Sequence, residues 1–126
     1  MRFNSKQRQS KAYCENRLPQ TDEEFISGCG VLGSAEGIAV GVRRVIARLG
    51  SVDPVYIHHD ARFIGEINQT DFWDRLDSLA IVLELEEELE CAIDDDAASQ
   101  IRNPEMKKNL TVADFVGDVI NVVSAR

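Results

Sequence analysis

FWDRLDSLAIVLELEEEL, residues 72–89, decides how this chain is read. From about Asp74 to Glu90 the stretch reads as one helix. Two similar three-residue words open it, Asp74-Arg75-Leu76 and Asp77-Ser78-Leu79, and Glu84, Glu86, Glu87, Glu88 and Glu90 crowd its end. Carboxylates at a helix C-terminus oppose the helix dipole. Glu84–Glu88 and Glu86–Glu90 are like-charge i, i+4 pairs, each destabilising by about 0.2–0.5 kcal/mol. A face charged this way is either simply solvated or offered to a basic partner. The buried face of this helix fixes which of the two opening words stands at which position.

On the N-terminal side a long connection, residues 51–73, holds Pro54 and scattered apolar anchors: Val52, Val55, Ile57, Phe63, Ile64, Ile67, Phe72 and Trp73. A connection of this length is unusual in a compact domain and often functional. The anchors are expected to pin it across the core, with Phe72 and Trp73 sealing the start of the acidic helix. Before it, Ser34 to Leu49 reads as a helix. Ile38, Val42, Val45, Ile46 and Leu49 make one apolar stripe, Ser34 can cap it and Gly50 can end it. Gly37 and Gly41 weaken it by about 1 kcal/mol each relative to alanine, unless close packing uses them. Thr21-Asp22-Glu23-Glu24 begins a shorter helix with a threonine cap and acids in its first turn. Gly28, Gly30 and Gly33 spell G-x-G-x-x-G after it, but DEEFIS is no buried strand and no βαβ pattern comes next, so a joint is the reading rather than a nucleotide site.

On the C-terminal side a short helical turn is expected over Asp94–Ile101, capped by Asp94 or Asp95 and broken at Asn103-Pro104. The last helix begins at Thr111, with Asp114 three residues on in a capping-box arrangement. Val112, Phe115, Val116, Val119, Ile120 and Val123 make its apolar stripe. No strand pattern competes and no internal repeat is visible.

The chain has 126 residues, enough for one domain with one core. No apolar run is long enough to cross a membrane, and the N-terminus lacks the apolar region of a secretory signal. Residues 1–19 carry five basic side chains against Glu15, a net of +4, while the rest has nine basic and 21 acidic groups, a net of −12. The division sets residues 1–20 apart as a mobile basic arm and 21–126 as the folded domain. An acidic body repels phosphates, which excludes a nucleic-acid-binding domain, and it steers basic partner proteins. Cys14, Cys29 and Cys91 are an odd number without C-x-x-C spacing and read as reduced thiols in a cytoplasm. His58-His59-Asp60 has the residue types of a catalytic or metal site, but neighbouring side chains in a loop diverge, so no metal and no catalytic residue is assigned.

The order of elements resembles the acyl carrier protein family. VRRVIARLG followed by VDPVYIHHDARFIGEI is similar to that family's first helix and loop, including the Ala61-x-Phe63 pair. Asp74-x-Leu76-Asp77, Glu86-Glu87-Glu88-Leu89 and Ile93-Asp94-Asp95-Asp96-Ala97 resemble its second helix and the segment after that helix, and Leu110-Thr111-Val112 the start of its last. The resemblance covers roughly residues 38–123 and is most specific over 74–101. It implies an all-α fold: an acyl-carrier-protein-like four-helix bundle with a long loop between the first and second core helices, here with an N-terminal extension. It further implies no catalysis of its own, and a place in fatty acid or polyketide biosynthesis.

In the family a serine at the start of the second helix receives 4'-phosphopantetheine, and apolar residues come after it at +1, +4, +6, +7, +10 and +14. Counted from Arg75 these are Leu76, Leu79, Ile81, Val82, Leu85 and Leu89, and all match. Counted from Ser78 two of them are Glu84 and Glu88. Burying an unpaired carboxylate costs several kcal/mol against a domain stability of about 5–15 kcal/mol. Arg75 therefore takes the position of the modifiable serine, and a guanidinium is no nucleophile toward coenzyme A. The resemblance then implies an acidic helical protein that docks on basic surfaces of partner enzymes through Asp74, Arg75, Asp77, Glu86, Glu87 and Glu88, without a cofactor. Ala80 stands where a family glutamate is common. The alternative is a working acyl or aminoacyl carrier with phosphopantetheine on Ser78, three residues on, about 4.5 Å along the helix axis and roughly 60° around it.

Overall fold

Thr21 opens the first helix, α1 (Asp22–Cys29), with a reciprocal cap. Its hydroxyl accepts from the Glu24 amide at 3.1 Å, and its own amide donates to Glu24 Oε1 at 3.0 Å. These hydrogen bonds hold the exposed Glu24 carboxyl below its usual range. Gly30, in the left-handed region at φ 70°, ends the helix and returns its amide to Ser27 O. The computed structural model describes residues 13–15, 17–64, 67, 78–104, 106 and 109–124.

The second helix, α2 (Ala35–Gly50), is the hub of the fold. It departs from the expected ends by one residue and one mechanism. Gly33, at φ 67°, makes the turn before it, so Ser34 is already helical and gives no side-chain cap. At the other end Gly50 is still helical and Ser51 takes the left-handed conformation at φ 54°. The stripe is wider than expected: Ala39, Val42, Val45, Ile46 and Ala47 are buried, with Ile38 and Leu49 packed at its edges. After a 3-10 turn (Pro54–Tyr56) come α3 (Ser78–Leu89), the single turn α4 (Asp95–Ala98) and α5 (Val112–Ser124). α2 packs against α1, the 3-10 turn, α3 and α5, and α1 also meets α5. The fold is all-α: among the described residues there is no strand, only an isolated antiparallel bridge between Arg62 and Thr111.

That bridge shows how the long connection is held. Ile57, Ala61, Phe63 and Ile67 are buried in the core. The connection also supplies backbone partners to the start of α5. Val112 N donates to Ala61 O at 2.9 Å and Ala113 N to His59 O at 2.8 Å. Asp114 N donates to Thr111 Oγ1 at 3.1 Å, while Thr111 N donates to Asp114 Oδ2 at 3.1 Å. The amides that a helix start leaves without partners are thus satisfied. Phe115 meets Phe63 edge to face, ring centroids 5.5 Å apart, and Val112, Val116, Val119 and Val122 are buried beside it. Val122 lies outside the stripe read from the sequence. Phe72 and Trp73, expected to seal the start of the acidic helix, lie outside the described residues.

Within the stretch that the sequence sets apart as an arm, residues 13–15 and 17–20 are described and make contacts with the body. Residues 13–15 are helical, and Tyr13 is buried with its hydroxyl donating to Tyr56 O at 3.3 Å. The Arg17 guanidinium stacks on the Tyr13 ring, and Gln20 N donates to Val55 O at 2.7 Å. Arg43 of α2 closes the arrangement from inside. Its side chain has no exposed surface. It donates to Ile57 O at 3.0 Å, Gln20 O at 2.6 Å, Val55 O at 3.1 Å and Asp22 Oδ1 at 2.9 Å. Burial lowers its pKa, with Asp22 opposing part of that shift, and a guanidinium remains a cation at neutral pH.

Two glycines are used for space. Gly28 lies against the His59 ring, where any Cβ would overlap it. Gly28→Ala is expected to cost about 1–3 kcal/mol by overpacking. His59→Ala should recover most of that loss in the double variant, read from urea midpoints; additive losses would show that the ring is not the obstacle. At Gly41 a Cβ would lie 2.7 Å from Leu89 Cδ2, so the glycine lets α3 approach α2 closely.

Candidate docking and attachment site

α3 carries the residues on which the functional reading turns. Its inward face is Ile81, Val82 and Leu85, all buried, with Leu89 packed on the core beside Gly41. Leu83 and Glu87 point to solvent, Leu83 being 56% exposed. Glu84 and Glu88 sit at the margin, their side chains 35% and 20% exposed. They are not left unpaired. Arg48 of α2 spans them, Nη2 donating to Glu84 Oε2 at 3.2 Å and Nη1 to Glu88 Oε1 at 3.0 Å. Hydrogen bonding to Glu88, then to Glu84, raises the Arg48 pKa.

The remaining glutamates divide. Glu86 Oε2 accepts from Ile93 N at 2.9 Å and so fixes the turn after the helix. Glu90 is exposed and left-handed at φ 52°, while Cys91 N donates to Glu86 O at 3.2 Å to close the last turn. A non-glycine residue there costs roughly 1 kcal/mol. Asp94 caps α4, its Oδ1 accepting from Ala97 N at 2.8 Å, as the sequence suggested. Of the expected docking residues, Glu86 and Glu88 therefore serve partners within the chain, and Glu87 is the exposed one. Asp74, Arg75 and Asp77 lie outside the described residues. Ser78 lies in α3, at the point where the described residues resume.

Ile81, Val82 and Phe115, with Ala98 and Ile101 from the α4 side, line a shallow cleft. Its free space is about 10 Å3, room for about one water. Arg102 forms its rim and is clasped to Asp118 of α5, Nε to Oδ2 at 2.9 Å and Nη2 to Oδ1 at 3.1 Å. Sequence reasoning missed Arg48, Arg43 and this clasp. Each pairs with residues far along the chain, for which periodicity carries no signal.

The other candidates take structural places. His59 Nδ1 accepts from the Gln20 side-chain amide at 3.0 Å, and Gln20 Oε1 accepts from His59 N at 3.3 Å. His58 Nε2 donates to Leu18 O. No group of ligating side chains able to hold a metal occurs among the described residues. All three cysteines are half-buried free thiols. Burial pushes the Cys29 thiol up to about 11 and raises Cys14 as well, the opposite of nucleophilic activation. No helix among the described residues is long and apolar enough to cross a membrane. No family model, curated protein or solved structure matches this chain.

Proposed function

We propose that this chain is an acyl-carrier-protein-like four-helix protein, cytoplasmic and without catalysis of its own, that docks on basic surfaces of partner enzymes. Arg75 occupies the position at which the family carries its phosphopantetheine serine, so the protein acts without that cofactor. Its setting is fatty acid or polyketide biosynthesis, as the resemblance implies. The observation that carries the reading is the inward face of α3. Ile81, Val82 and Leu85 are buried, while Glu84 and Glu88 stay at the margin. That is the pattern expected when the family spacing is counted from Arg75. Counting from Ser78 would place the two glutamates on the inner face. Arg48 supplies these carboxylates with a counter-charge, and their exposure sets them outside the core.

The second reading is a carrier modified on Ser78, which lies in α3 three residues after Arg75 in the sequence. Intact mass after incubation with coenzyme A and a promiscuous phosphopantetheinyl transferase separates the two. The native chain is expected to keep its mass. A gain of one phosphopantetheine, abolished in Ser78→Ala, would replace the first reading with the second.

A further inference from the structure

α2 and α3 run antiparallel, with Gly41 against Leu89 at one end and Arg48 against Glu84 at the other. Gly41, Val45 and Arg48 succeed one another at i, i+4, i+7 along one stripe of α2. The close approach at Gly41 thus brings the Arg48 guanidinium within reach of two glutamates one turn apart on α3. Arg48 is itself half exposed, so this ion pairing forms at the protein surface rather than in the core. It neutralises one charge of the i, i+4 pair Glu84–Glu88, whose mutual repulsion would otherwise oppose the helix. Arg44, on the same helix, is exposed and has no ion pair among the described residues.

We infer that Arg48 is an internal competitor for basic partners: it occupies Glu84 and Glu88, and so leaves Glu87 of α3 and Glu90, just past its end, as the free carboxylates for docking. The inference rests on the docking reading above and deepens it. A lysine- or arginine-rich surface approaching α3 finds the two outer carboxylates free. It must displace Arg48 to use the other two. Because Arg48 is tethered to the same fold, it acts at high effective concentration, and only a partner with several cations in a row outcompetes it. Arg48 then sets a threshold of partner charge below which the helix is not engaged over its whole length.

A fluorescent deca-lysine peptide at low ionic strength tests this, with binding monitored by anisotropy. Arg48→Gln is expected to tighten binding about three- to tenfold, the range for releasing two exposed ion pairs. Arg44→Gln changes the net charge by the same amount but frees no carboxylate, and is expected to shift affinity by less than about twofold. Adding Glu84→Gln and Glu88→Gln to Arg48→Gln should remove the gain. The difference between native and Arg48→Gln should also fade as salt is raised. Equal shifts for Arg48→Gln and Arg44→Gln would show that only net charge matters and would overturn the inference while leaving docking intact. If no variant binds the peptide, the docking reading fails and the inference with it.

Discussion

Arg43→Ala is expected to lower stability by about 3–5 kcal/mol, a large part of the roughly 5–15 kcal/mol available to a domain of this size. The reason lies in what Arg43 serves. Its side chain is fully buried and donates to the carbonyls of Gln20, Val55 and Ile57 as well as to Asp22. Alanine leaves three carbonyls short of a donor and a cavity under Phe25, whose ring lies 4.7 Å from the guanidinium carbon. Asp22 is the lesser partner, because its side chain is 54% exposed and water can replace the arginine. Asp22→Ala should therefore cost only about 0–1 kcal/mol. Arg43→Lys keeps the charge but not the fork, and should fall between the two. Urea unfolding at constant slope measures all three variants. A loss below about 1 kcal/mol for Arg43→Ala, or a greater loss for Asp22→Ala, would contradict the role given to Arg43 in tying residues 17–22 and the 3-10 turn to α2.

The second large effect concerns the register of α3. Leu85 has no exposed surface, so Leu85→Ala is expected to cost about 2–5 kcal/mol. Glu84, one residue away, is partly exposed and paired only at the surface, so Glu84→Ala should cost less than about 1 kcal/mol. The contrast matters more than either value. The two side chains point about 100° apart, Leu85 at the centre of the buried face and Glu84 at its margin. A larger loss at Glu84 than at Leu85 would mean that α3 turns another face inward, and Arg75 would lose its claim to the serine position.

The parts of the fold that depend on local chemistry were legible from sequence. Thr21 with Glu24, Asp94 with Ala97 and Thr111 with Asp114 are caps written within three residues, and each forms. The stripes of α2 and α5 were legible for the same reason, since burial repeats with the helical period. Ser34 misled because the left-handed Gly33 had already made the turn that a cap residue usually makes. The ionic contacts were illegible for a different reason. Arg43 and Arg48 both lie in VRRVIARLG, yet one is sealed in the core and the other bridges two glutamates of another helix. Nothing in the local pattern separates them; their fates depend on which elements tertiary packing brings alongside. The same cause thinned the candidate site. Five glutamates read as one charged face, but Glu86 is taken up by Ile93 N, and Glu84 and Glu88 by Arg48.

The central proposal is that Arg75 stands where an acyl-carrier-protein-like fold carries its modifiable serine. Intact mass of Arg75→Ser after incubation with coenzyme A and a promiscuous phosphopantetheinyl transferase tests it most directly, with Arg75→Ala beside it. A gain of one phosphopantetheine is expected on Arg75→Ser and none on Arg75→Ala. An Arg75→Ser protein that keeps its helical circular dichroism yet stays unmodified would contradict the claim.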